Sequence, residues 1–138
     1  MLSSVSSPIV GIGELLWDLL PSGPRLGGAP TNFSTLSARL GDYVALVSRI
    51  GQDKLGRDAM VSLEAVAHSP QAKGHLDLAQ IQVSSQLPTG TVTVTIDSDH
   101  RPRYTIHSPV AWDEITFSDE LLLSARTASA KTASVVCF

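Results

Sequence analysis

The stretch from Gly27 to Gly51, GGAPTNFSTLSARLGDYVALVSRIG, constrains the fold more tightly than any other part of the chain. Two glycines open it, a short turn runs through Ala29 and Pro30, and Asn32 follows. An amphipathic run from Phe33 to Leu40 stops at Gly41, and an apolar, β-branched run from Tyr43 to Ile50 leads into Gly51. This order reads as a glycine-rich turn feeding a helix N-terminus, then a buried strand. Glycine lets a ligand touch the backbone, and the unpaired N–H groups of a first helical turn suit an oxygen-rich ligand.

The flanking segments extend the same pattern. Ile9 to Gly13 is a short apolar run consistent with a buried strand, and Leu15 to Leu20 continues extended until Pro21-Ser22-Gly23-Pro24 turns the chain. Spacing at i, i+4 predicts Leu36 and Leu40, with Phe33, as the buried face of a helix from about Pro30 to Leu40. Asp53 is placed to cap a second helix running to about Val66, with Leu55, Ala59 and Leu63 spaced for burial. Strand, helix, strand, helix is a parallel α/β unit.

Residues 68–80 read as a loop, with Ile81 and Val83 in a short strand after it. From Thr91 to Ile96 apolar and polar residues alternate strictly, which places Val92, Val94 and Ile96 on one face of a strand. Asp97-Ser98-Asp99-His100 then forms a hairpin turn without glycine, and Arg101 to His107 returns as the antiparallel partner. This pair predicts a small sheet apart from the parallel one. Ser118 is placed to cap a helix over 119–126, and Ser134 to Phe138 begins another buried strand.

Composition sets outer bounds. A chain of 138 residues suits one small domain or part of a larger one. Its net charge of −3, with no long run of either sign, argues against a nucleic-acid partner. The single cysteine, Cys137, excludes an internal disulfide and fits a reducing compartment. No apolar stretch reaches the roughly 20 residues of a membrane span, and Glu14 and Asp18 interrupt what would otherwise mimic a signal peptide. The expectation is a soluble cytoplasmic protein that engages neither membrane nor nucleic acid. His68, His75, His100 and His107 lack ligand spacing, so no metal site is predicted. Gly11 and Gly13 begin a dinucleotide fingerprint, but Leu16 stands where its third glycine belongs.

Several residues suit polyol chemistry. In open α/β sheets ligands bind beyond the carboxyl ends of the strands. Glu14 and Asp18 are read at such an end, and a carboxylate there can accept hydrogen bonds from a sugar diol. Gly27 and Gly28 permit close backbone approach, and the Asn32 amide offers both donor and acceptor. The bland alternative makes Asp18 a solvated or turn-capping group, Gly27-Gly28 a plain turn and Asn32 a first-turn helix residue. Gly51-x-Asp53-x-x-Gly56 reads as structural, a tight turn and a helix cap.

The spacing of Gly27, Gly28, Pro30, Asn32, Ser34, Gly41 and Gly51 resembles the first signature of the phosphofructokinase B (PfkB, ribokinase-like) family of carbohydrate kinases. Leu16-Trp17-Asp18, GGAPTNFS, Pro88-Thr89-Gly90-Thr91-Val92 and Val110-Ala111-Trp112-Asp113 resemble its bacterial fructokinase branch most. The resemblance covers nearly all of residues 9–138. It implies an incomplete ribokinase-like parallel sheet with helices and a small antiparallel β lid built from segments of about 15–26 and 87–107. Asp18, Gly27, Gly28 and Asn32 are then substrate-binding residues for a fructose-like sugar, with Tyr104 and Ile106 on the lid. Trp17 and Trp112 stay open between packing and function. The family uses ATP with Mg²⁺, and its lids often clasp in homodimers.

The family's glycine-rich G-A-G-D motif, which carries the catalytic base and the anion hole, has no counterpart in these residues. The resemblance therefore implies a partial kinase domain without its nucleotide-binding half. No catalytic residue is expected in this chain, no ATP or Mg²⁺ binding by it alone, and no kinase activity. The alternative is a non-catalytic product acting only as a binding or dimerisation module.

Overall fold

A computed structural model of the chain describes residues 9–119 and 135–137. The described elements are β1 (Ile9–Ile12), β2 (Leu16–Leu20), β3 (Gly23–Gly27), α1 (Ala29–Leu40), β4 (Tyr43–Gly51), α2 (Lys54–Ala67) and β5 (His75–Asp77). They continue with β6 (Ile81–Ser84), β7 (Gly90–Ile96), β8 (Pro102–Ile106), a 3₁₀ turn (Ala111–Glu114) and β9 (Val135–Cys137). The helix expected over 119–126 lies, apart from Asp119, outside the described residues. Among the described residues, no helix is long and apolar enough to cross a membrane.

The elements form an α/β fold on two sheets. The first is parallel throughout, in the order β5-β4-β1-β9, with β6 also pairing β4. A parallel strand in the middle of a sheet is covered on both faces, which is why β4 reads as a near-continuous apolar run. Val44, Leu46, Val47 and Ile50 are all buried there. α1 and α2 contact β4 and each other. Ala59 and Leu63 of α2 are fully buried with Leu15, Trp17 and Leu76 in one core.

α1 packs differently from its sequence expectation. Leu36 and Leu40 are 57% and 72% exposed, while Pro30, Thr31, Ser34, Ser37 and Ala38 are buried. The cause lies across the interface. Gly11 of β1 lets the helix come so close that the Ser34 hydroxyl occupies the space of a Gly11 side chain. At that distance only small residues fit between helix and sheet.

The second sheet has the order β3-β2-β7-β8. β2 and β3 are antiparallel, as are β7 and β8, but β2 and β7 run parallel. The sheet is thus mixed, where an antiparallel pair was expected. Leu15 to Leu20 does not prolong the first strand either: the chain turns at Gly13 (φ 138°) and β2 joins the other sheet. Trp17 anchors that sheet to α2, donating from Nε1 to Leu55 O at 2.9 Å. Val92 and Val94 are 6% exposed, but Ile96 on the same face is 55% exposed, because the strand pair runs past the cover that Leu16 and Leu20 give. In the β7–β8 turn the Asp97 carboxylate accepts from the Asp99 and Arg101 N–H groups, both at 2.9 Å, and His100 adopts φ 60°. That network replaces the missing glycine.

The three-residue β5 falls inside the stretch read as a loop. It pairs Tyr43 to Ala45 of β4, and the His75 ring stacks on Tyr43 with centroids 4.7 Å apart.

Candidate functional site

The chain crosses from the second sheet back to the first at Gly27-Gly28, where β3 ends and α1 begins. Gly28 caps α1 with φ 104° and ψ 131°, a conformation costly for any residue with a side chain. A side chain there would also strike the Glu14 carbonyl oxygen. The same carbonyl accepts from Thr31 Oγ1 at 2.7 Å, which ties the first turn of α1 to the β1–β2 link.

Asp18 stands in the middle of β2, not at the end of the first strand. It is half-buried and paired with Arg25 on one side and Val92 on the other. Its carboxylate leans over Gly27 into the space a side chain there would fill. The structure thus brings Asp18, Gly27 and Gly28 together through one close backbone approach.

Asn32 lies in the first turn of α1, where its N–H donates to Gly28 O at 2.9 Å. Its side chain is exposed and lines a groove of about 510 Å³ with Arg25, Thr31, Thr35 and Arg39. Asp18 is not among the residues lining that groove. Tyr104 and Ile106 share the sheet face of Asp18, since Asp18 pairs Val92 and Val92 pairs Ile106. Both are 66% exposed and stand two strands away, about 10 Å at ordinary strand spacing.

A second junction carries the densest hydrogen bonding near the site. Asp53 caps α2, accepting from Gly56 N–H at 2.8 Å. The same carboxylate accepts from the Thr89 N–H at 2.8 Å and from the Thr89 hydroxyl at 2.7 Å. Thr89 Oγ1 in turn accepts from Gly51 N–H at 2.9 Å. The end of β4, the start of α2 and the root of β7 are joined through two side chains. Burial pushes the Asp53 carboxyl up. The donors of Thr89 and Gly56 and the charge of Arg57 outweigh it and hold its pKa below the ordinary carboxylate value. Asp53 was legible as a helix cap, but the link to Thr89 has no local signal, because the two residues are 36 positions apart.

Trp112 belongs to the same neighbourhood. Its indole lies against Gly90, at 2.8 Å from the position a side chain there would take. Among the described residues no group of three or more His, Cys, Asp or Glu side chains could hold a metal ion.

No family model matches the chain. It is 32% identical to a fructokinase from Klebsiella pneumoniae over 99 residues, which is 68% of this chain and 30% of that protein. Among solved structures, an uncharacterized sugar kinase from Pyrococcus horikoshii in complex with ATP aligns with a TM-score of 0.70 at 25% identity. That alignment covers 83% of this chain and 39% of the kinase. The apo fructokinase from Vibrio cholerae aligns with a TM-score of 0.66 at 27% identity, over 77% of this chain and 36% of that one. The matched part of the chain therefore spans 30% to 39% of the length of these relatives. The parallel sheet with its helices agrees with these matches: the chain belongs to the phosphofructokinase B, ribokinase-like family of carbohydrate kinases.

Proposed function

We propose that this chain forms the sugar-binding and lid part of a fructokinase-like carbohydrate kinase, with a fructose-like ketose as its ligand. The observation that carries the reading is the Asp18 carboxylate leaning on Gly27 beside the Gly28-capped start of α1. A carboxylate in that position accepts hydrogen bonds from two neighbouring hydroxyls. Gly27 and Gly28 let the ring lie close to the backbone, and Asn32 supplies a donor and an acceptor from the helix. The second sheet acts as the lid, and its Tyr104 and Ile106 face covers the bound sugar and excludes water. In the intact enzyme ATP with Mg²⁺ supplies the phosphoryl group. On this reading the 138 residues bind sugar without turning it over.

The exposed Ile96, Tyr104 and Ile106 favour a second reading of the same face, a dimerisation module in place of a sugar cover. Two copies would bury these faces against each other, giving a homodimer through the lid.

Calorimetric titration with D-fructose tests the binding role. Hydrogen bonds to a charged group contribute about 1.5–3 kcal/mol each, so Asp18→Ala should weaken binding at least about tenfold. Equal affinity in the variant would remove Asp18 from the site and the reading with it.

A further inference from the structure

One row across the second sheet consists of Gly27, Leu16 and Gly90, paired strand to strand. Two glycines flanking a leucine leave a gap on each side of it, and both gaps are filled from elsewhere. The Asp18 carboxylate leans over Gly27 on one side. On the other, the Trp112 indole lies over Gly90, with Cδ1 and Nε1 each 2.8 Å and Leu16 Cβ 3.1 Å from the position of a Gly90 side chain. Gly90 pairs with Leu16, and Asp18 follows Leu16 by two residues, so the indole and the carboxylate lie on the same face. The two glycines are two strand spacings apart, about 10 Å.

Trp112 is held there by its turn. Ala111 N–H donates to Pro88 O at 2.8 Å, and the Asp113 carboxylate accepts from Val110 N–H at 2.9 Å and from the Ser108 hydroxyl at 3.2 Å. Val110 and Ala111 are buried at 2% and 0% exposure, yet Trp112 between Ala111 and the exposed Asp113 is only half-buried. The two tryptophans differ in their polar ends as well. Trp17 donates its Nε1–H to Leu55 O, whereas the Trp112 Nε1–H has no acceptor among the described residues.

We propose that Trp112 contacts the sugar. Its indole forms the wall of the site opposite Asp18, lies against an apolar C–H face of the ring, and turns its Nε1–H toward a hydroxyl. A flat, rigid aromatic with one donor is suited to a ligand that is apolar on its ring faces and polar at its edge. The carboxylate then reads the hydroxyls and the indole reads the ring. Gly90 is the residue that makes room for it. This inference rests on the sugar-binding reading above and assigns that site a residue chosen for cyclic rather than open-chain polyols.

The test uses the full chain in three forms: wild type, Trp17→Phe, which leaves Trp112 as the sole tryptophan, and Trp112→Phe. Circular dichroism establishes that each is folded. D-fructose is titrated while emission, acrylamide quenching and binding heat are recorded. In Trp17→Phe the sugar should change the emission and shield the indole from acrylamide. In Trp112→Phe the affinity should fall about three- to tenfold while binding stays dependent on Asp18. Asp18-dependent binding with unaltered Trp112 emission, and with full affinity in Trp112→Phe, would overturn the inference and leave the sugar site standing. Absence of binding heat in all three folded chains would overturn the sugar-binding reading and this inference with it.

Discussion

Removing the Asp53 carboxylate should loosen the seam between the two sheets, and the structure sets the size of the effect. Asp53→Ala deletes the acceptor for Gly56 N–H, for Thr89 N–H and for the Thr89 hydroxyl. Loss of the helix cap costs about 1 kcal/mol. Thr89 is only 2% exposed, so its N–H cannot turn to water, and a buried donor without a partner costs about 1–3 kcal/mol. The total is about 3 kcal/mol, roughly a hundredfold in the ratio of folded to unfolded chain. Asp53→Asn keeps Oδ1 for the cap and the Thr89 hydroxyl but turns an NH₂ toward the Thr89 N–H, so it should lose about half as much. Thr89→Val takes the acceptor from Gly51 N–H and should cost about 1–3 kcal/mol. Because both side chains serve one network, the double variant Asp53→Ala/Thr89→Val should lose less than the sum of the singles, by about 1–2 kcal/mol. Urea unfolding followed by circular dichroism measures each value. Hydrogen exchange of the Gly51 and Thr89 amides localises the change. Strict additivity, or an Asp53→Ala chain within about 0.5 kcal/mol of wild type, would refute the claim that this network joins the sheets.

Three further outcomes follow from the same geometry. Acid should weaken the seam. The folded-state pKa of Asp53 is depressed, so its contribution is complete above the ordinary carboxylate value of about 3.9 and is lost as pH falls through the lower folded-state value. Urea midpoints between about pH 7 and pH 3 should therefore fall less steeply in Asp53→Asn than in wild type. Gly28→Ala should destabilise the chain by about 1–3 kcal/mol through its φ of 104° alone, with the clash on Glu14 O adding to it; a melt equal to wild type would contradict that geometry. Ile106→Lys should weaken self-association in sedimentation, with far-ultraviolet dichroism unchanged, because Ile106 is 66% exposed; undiminished dimers would remove the lid from the interface.

How far the sequence reaches is clearest at α1. Its limits were legible because local chemistry writes them: glycines before it, Pro30 in its first turn, Gly41 after it. Its buried face was not, because periodicity alone favours Leu36 and Leu40. The outcome was decided by Gly11, more than twenty residues upstream, which draws the small Ser34 into contact. Asp18 shows the same division. Its type and its place in the motif pointed to polyol chemistry. The residues alone misassigned its strand, since an apolar run after Gly13 carries no mark of a change of sheet; only the family resemblance placed 15–26 beside 87–107. β5 escaped because three residues with one buried leucine are too few to show a period. The parallel pairing of β2 with β7, on which the site depends, joins residues more than seventy positions apart. A hairpin leaves its register in the turn that closes it, as Asp97 does for β7 and β8. A parallel pair has no such turn. Its register is set by what fills the sheet face, here Asp18 over Gly27 and Trp112 over Gly90. Sliding β7 by one residue would exchange Gly90 for Thr89 or Thr91 beneath the indole and turn Val92 and Val94 away from Leu16, so the arrangement of the site and the register of its sheet are a single constraint.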